Sequence, residues 1–129
     1  MNERFIEPPD VGKKDDTLDI AAWKPFHDGK SSQLVLLMQC ATGTNWEEKS
    51  HELRLEAWKK YIHWGCPPVP GFAIPHIVAK RKWGNLSLDS GLILDRIRIY
   101  NILVTSSEDK SLHSPLKAWC QKQINRLDS

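Results

Sequence analysis

Asp19-Ile-Ala-Ala-Trp23 and, after a turn-rich interval, Leu34-Val-Leu-Leu-Met-Gln-Cys-Ala41 decide how this chain folds. The first stretch reads as a strand headed by an acid. The second is almost continuously apolar, which predicts a central strand covered on both faces. Between them, Pro25, Asp28-Gly29 and paired serines supply turn chemistry, so strands over 17–23 and 33–41 are expected to form an antiparallel hairpin. Gln39 breaks the apolar character near the end of the second strand. Burying an unsatisfied amide or carboxylate costs a few kcal/mol, so polar groups at such positions call for a reason. In an antiparallel pair, Asp19 and Gln39 meet at one end of the sheet. Two oxygen-bearing side chains there suit a hard cation such as Mg²⁺.

Outward from this pair, the chain reads as a mixed fold. Thr42-Gly43-Thr44 closes the second strand. Asn45 is placed to cap a helix, with Glu48 as its capping-box partner. Trp46, Leu53, Ala57 and Tyr61 share one helical face, beside Trp58 and Ile62, which predicts a helix over 46–63 stopped by Gly65 and Pro67-Pro68. Phe72–Ala79 reads as a strand that Pro75 either demotes to an edge or marks with a bulge. Lys80-Arg81-Lys82 is the densest basic cluster and reads as a turn. Residues 91–99 read as a strand, with a helix over 95–104 as the alternative. Ser114-Pro115 opens a last helix with Leu116, Trp119, Ile124 and Leu127 on its buried face. Residues 1–14 form an irregular lead-in. The expected class is α/β (α+β), a single domain over 1–129. Its order is β-β-α-β-β-α, with helices on a mixed sheet of about four strands.

Composition narrows the function classes. The chain has 129 residues, 40% of them hydrophobic, and a net charge of +2, so bulk charge does not argue for nucleic-acid binding. Six tryptophans, spread without a period, read as core and rim packing. Three cysteines cannot all pair. No apolar leader precedes them and no run approaches the ~18–20 residues of a spanning helix, so a reduced, cytoplasmic setting without membrane contact is expected. His63-x-x-Cys66 is half a zinc site without a matching second half. The five histidines show no spacing that selects a nucleophile and its base.

The run Gln39-Cys-Ala-Thr-Gly-Thr-Asn-Trp-Glu-Glu-Lys49, following the Asp19 strand and its hairpin, resembles the PD-(D/E)XK restriction-endonuclease-like superfamily. More narrowly, it is similar to a bacterial group of nuclease-like proteins with a Gln-Cys-Ala-x-Gly-x-Asn-Trp signature. The resemblance covers roughly residues 12–103 and implies a metal-dependent DNA endonuclease in a prokaryotic defence or mobile-element context. It assigns Asp19 as the anchoring Mg²⁺ (or Mn²⁺) ligand, Gln39 as the second ligand and the Cys40 backbone carbonyl as a third. Ala41 stands where the superfamily has its lysine, and Lys49 is the candidate replacement. The usual first helix and its acid have no counterpart in the residues before Asp19. Asp15 and Asp16 are candidates to complete the coordination. Lys80, Arg81 and Lys82, with Arg96 and Arg98 on one strand face, are candidate phosphate contacts. The resemblance also implies a homodimer, or a partner subunit that supplies the missing elements. The competing expectation is a catalytically degenerate module of the same fold, serving in nucleic-acid binding or protein contact.

Overall fold

A computed structural model describes residues 3–12 and 16–105, with isolated positions between 114 and 125. The chain forms two compact units, Met1–Arg96 and Ile97–Ser129. The first contains a mixed four-stranded sheet built from β2 (Ile20–Lys24), β3 (Leu34–Cys40), β5 (Val69–Ala73) and β6 (Leu92–Leu94). The strands lie side by side in chain order. β2 runs antiparallel to β3, whereas β3, β5 and β6 are parallel. The hairpin is as expected. Gly29 takes a positive φ of 71°, and the Asp28 Oδ1 accepts the Lys30 N–H at 3.1 Å.

β3 is central. Val35, Leu37, Met38 and Gln39 are all buried, in keeping with neighbours on both edges. The ladder aligns Gln39 with Phe72 and Phe72 with Ile93, so these three residues form one row across β3, β5 and β6. Side chains in a row share a face. On that face Ala41, Phe72, Ile74, Val78, Leu86 and Ile93 make the core, with Trp46 and Trp83 packed against it. Burying side chains of this size contributes about 1.5–3 kcal/mol each.

The cover over this core differs from the expected long helix. Residues 46–63 form a tight 3-10 helix (Trp46–His51), a single turn α1 (Leu55–Trp58) and a short strand β4 (Ile62–His63). Asn45 makes no side-chain cap, and only its carbonyl receives the Glu48 N–H, so the capping box does not form. Without that cap the helix lacks its nucleating contact, and β4 is drawn into pairing. Its partner is β1 (Arg4–Phe5), which lies inside the lead-in expected to be irregular. Glu3 ties this pair to the hairpin. Its carboxylate accepts the N–H groups of Ser32 (2.9 Å), Gln33 (3.1 Å) and Gly65 (2.7 Å). Burial pushes the Glu3 carboxyl up, but these backbone donors, with His63 nearby, outweigh it and hold it below the usual carboxylate range.

Three further expectations are corrected. The strand anticipated over 72–79 is β5, Val69–Ala73, and it is interior rather than an edge. It contains Pro70 instead of Pro75. The ladder to β6 begins only at Gly71, so the missing Pro70 N–H leaves no gap on that side. Lys80-Arg81-Lys82 is the first turn of α2 (Lys80–Ser90), not a turn between strands. Residues 91–99 divide into β6 and α3 (Arg96–Thr105), close to the helical alternative. Over residues 3–105, as far as they are described, the order is therefore β-β-β-α-β-β-α-β-α, with the 3-10 helix between β3 and α1. Much of the expected C-terminal helix, including Leu116, Ile124 and Leu127, lies outside the described residues, and Trp119 is exposed. Among the described residues, no helix is long and apolar enough to cross a membrane.

Two substitutions test this frame. Glu3→Gln should destabilise the fold by roughly 1 kcal/mol at pH 7, since the carboxylate is only partly shielded from water. A depressed folded-state pKa gives stability that is present above the unfolded carboxylate range and lost as pH falls through the folded value. Denaturant titrations should therefore show the gap between wild type and variant closing below about pH 4. Gly91 joins α2 to β6 with a φ of 75°, and a Cβ there would strike the Pro70 carbonyl. Gly91→Ala should cost about 2 kcal/mol or more, read as a fall in thermal midpoint.

Candidate functional site at the end of β3

Of the residues singled out from sequence, Asp19, Gln39 and Cys40 meet at the carboxyl end of β3. Asp19 precedes β2 and is pinned there twice. Its N–H donates to the Met38 carbonyl at 2.9 Å, and its Oδ2 accepts the Cys40 N–H at 2.6 Å. The carboxylate is exposed and has one oxygen committed to this backbone bond. Cys40 ends β3, half-buried. Burial first, and then the charge of Asp19, push its thiol pKa up. Cys40 is therefore a protonated neighbour of Asp19 near neutral pH, not a nucleophile. Neither Cys40 nor Cys66 is in a disulfide.

Gln39 is 5% exposed, because its row partners Phe72 and Ile93 belong to the core. Its Nε2 donates to the Glu52 Oε2 at 2.8 Å. Its Oε1 is buried with no hydrogen-bond partner among the described residues. Buried amide oxygens are usually satisfied, and the same lack of a partner among the described residues is shared by Gln33 Oε1 and the indole nitrogens of Trp58 and Trp64. Glu52 was not among the residues chosen from sequence. It follows the 3-10 helix directly, and nothing in the local pattern distinguishes it from Glu47 or Glu48. Only the observation that a buried glutamine needs a partner would have prompted the search. The Glu52 carbonyl also accepts the Thr17 hydroxyl at 2.9 Å, tying the chain just before Asp19 to the same place. A cleft of about 430 Å³ opens beside Glu52, bordered by Asp16, His51 and Arg54. The Asp16 carboxylate accepts the Tyr61 hydroxyl at 3.1 Å there, and Asp15 lies outside the described residues.

Lys49 lies in the 3-10 helix three residues before Glu52. It is half-buried, and its ammonium has no ion pair among the described residues. Ala41 is 3% exposed within the core, so a lysine at that position would be driven among apolar side chains. Trp46 packs on Phe72 (6.4 Å between rings) and stacks on His76 (6.1 Å), fixing the start of the segment that carries Lys49 and Glu52.

The basic candidates separate. Lys80, Arg81 and Lys82 sit at the amino end of α2. Lys82 pairs with Glu47 at 2.6 Å, and Arg81 is exposed. Arg96 and Arg98 belong to a helix rather than a strand, and residues two apart on a helix point away from each other. The expected shared phosphate-gripping face is therefore not formed. Arg96 instead donates from Nε to the Pro75 carbonyl at 2.6 Å. Asp95, 4% exposed, accepts the Val78 N–H at 3.3 Å.

The site thus holds an exposed carboxylate, a second carboxylate on a buried amide, and an amide oxygen with no partner among the described residues. Among the described residues, no three histidine, cysteine, aspartate or glutamate side chains converge as ready metal ligands. The oxygen donors that are present are of the type Mg²⁺ prefers. Comparison of the chain with protein-family models, with curated proteins and with solved structures gives no match in any of the three.

Proposed function

We propose that the end of β3 is the catalytic site of a metal-dependent DNA endonuclease with a restriction-endonuclease-like core, acting in the cytoplasm. The observation that carries this reading is the buried, unpartnered Gln39 Oε1 beside a strand end to which Asp19 is pinned. Support also comes from the mixed four-stranded sheet, whose first strand begins just after Asp19 and whose second ends at Gln39-Cys40. Asp19, the Gln39 amide oxygen and the Cys40 carbonyl are the groups that would hold Mg²⁺ or Mn²⁺, with Glu52 supplying the charge that a neutral glutamine lacks. The ion, when bound, lowers the pKa of a water and polarises the phosphate.

The chain's own residues do the rest. Glu52 fixes the Gln39 amide so that its oxygen, not its nitrogen, faces away from the bond they share. Lys49, lacking an ion-pair partner, stabilises negative charge that builds on the scissile phosphate. Lys80 and Arg81 contact phosphates without reading sequence. A homodimer, or a partner subunit, would complete a site able to cut both strands.

A second reading has its own support. Ala41 is locked in the core and the Asp19 carboxylate already serves a backbone N–H, as expected of a degenerate module that binds nucleic acid or a protein partner without cutting.

Cleavage of supercoiled plasmid and single-stranded DNA with Mg²⁺ or Mn²⁺ separates the two. The nuclease should cut with either metal. Asp19→Ala should lose on the order of 10²-fold or more, Lys49→Ala about 10²-fold, and Glu52→Gln about tenfold. Wild type that neither cuts nor binds metal by calorimetry would leave the degenerate module. Cutting that survives Asp19→Ala would move the site elsewhere.

Gln39→Glu gives a readout independent of activity. It sets two carboxylates against each other in a buried place, so the variant should lose about 1–3 kcal/mol at pH 7. Repulsion raises the pair's folded-state pKa. The variant is therefore closest to wild type in acid and falls behind as pH rises through that value. Mg²⁺ or Mn²⁺ should restore its thermal midpoint more than it raises that of wild type. Equal shifts for both proteins would count against a metal at Gln39.

A further inference from the structure

A second cavity, distinct from the β3 end, lies between the 3-10 helix and α2. It measures about 380 Å³, within the range of small-molecule sites. Its lining is divided in a way that suits one ligand chemistry. Half-buried Trp46 and buried Leu86 give it an apolar floor. Arg81 lies at the amino end of α2, where the helix dipole also favours an anion and where no side chain caps the first turn. Asp89 lies two turns further along the same helix, roughly 12 Å away at 1.5 Å per residue. Asn85 stands between them, offering both a donor and an acceptor.

The other charges do not compete for a ligand at these positions. Lys82 is bridged to Glu47 across one end of the cavity at 2.6 Å. His51 approaches Asp89 to only 3.8 Å, too far for a hydrogen bond, so the Asp89 carboxylate remains able to accept one. Ser90 Oγ donates to the Ser50 carbonyl at 2.6 Å and holds the two walls together. The cavity therefore has a cationic end, an apolar middle and a hydrogen-bond-accepting end on a rigid frame.

We propose that this cavity binds a single nucleotide lengthwise, its phosphate on Arg81, its base over Trp46 and Leu86, and an amine-bearing base edge on Asn85 and Asp89. The proposal needs neither Asp19 nor a metal, and it shares Arg81 alone with the cleavage reading. Free nucleotides and single-stranded nucleic acid carry the same chemistry. The length dependence of binding distinguishes them.

Calorimetry on the full chain carrying Asp19→Ala, in buffer with chelator, tests the idea without turnover. The probes are CMP, cytidine, inorganic phosphate and a twelve-residue oligodeoxycytidylate. CMP should bind at least tenfold more tightly than cytidine or phosphate alone, because each of these fills only part of the cavity. Arg81→Ala should weaken CMP at least tenfold and Asn85→Ala several-fold. Both side chains are exposed, so these variants should keep the wild-type thermal midpoint. Tighter binding of the oligonucleotide than of CMP, lost in Arg81→Ala, would identify a strand as the occupant, and equal binding a free nucleotide. Phosphate binding as tightly as CMP, affinity unchanged in Arg81→Ala, or no binding of any probe would each overturn the proposal.

Discussion

A glutamine in the most buried strand of the sheet is the constraint on which the rest of the structure turns. Gln39 stands in the same row as Phe72 and Ile93, so its amide cannot reach bulk water without breaking the ladder. A buried amide left unsatisfied costs roughly 1–3 kcal/mol, enough to matter in a domain whose net stability is only about 5–15 kcal/mol. The segment laid over that face must therefore bring a polar partner, and it brings Glu52. The partner satisfies only the amide nitrogen. The amide oxygen remains unpaired among the described residues, in a place where apolar packing would have been cheaper. Selection for stability alone does not favour such a residue. The proposed metal site would give that oxygen a partner.

Asp19 reaches the same end of the sheet by a different route. It lies outside the β2 ladder, yet two bonds to Met38 and Cys40 fix it against the end of β3. The parallel pairing of β3 with β5 requires a long crossover, and that crossover is the segment carrying Lys49 and Glu52. One topological choice therefore does two things. It gives β3 a neighbour on each edge, and it carries the Glu52 carboxylate across to Gln39 near the strand end where Asp19 is already held.

The hairpin and the central strand were legible in the sequence because their signals are local: turn residues at 25–32 and an unbroken apolar run at 34–38. The convergence of Asp19 on the end of β3 followed from the hairpin alone. The 46–63 region was misread because its apolar residues keep a helical period while its backbone does not. Pairing of β4 with β1, some sixty residues away, outweighs local propensity there. α2 was missed because Lys80-Arg81-Lys82 and Gly84 disguise its start, and its apolar face rests on only Trp83 and Leu86. Glu52 escaped notice because its role is set by a tertiary contact with Gln39, thirteen residues earlier. Arg96 and Arg98 were paired on the assumption of a two-residue period that α3 does not have.

The tight winding of Trp46–His51 has a consequence that an ordinary α-helix would not. At three residues per turn, positions three apart eclipse one another, so side chains separate into distinct columns. Lys49 falls in the column that leads into Glu52, the residue bonded to Gln39. Glu47 and Ser50 fall in another, and both border the cavity against α2. In an α-helix, at 3.6 residues per turn, positions three apart are offset by about 60° and do not eclipse. Because 3-10 geometry is intrinsically less favourable, something must hold it. The Trp46 stack on His76 at one end and the Ser50 carbonyl, bonded to Ser90, at the other supply that support. The segment is therefore shared by both places: Trp46, Glu47, Ser50 and His51 border the cavity, and the Glu52 that follows them is bonded to Gln39. Loosening either anchor would disturb both places together, which ties the integrity of the β3 site to the packing of α2.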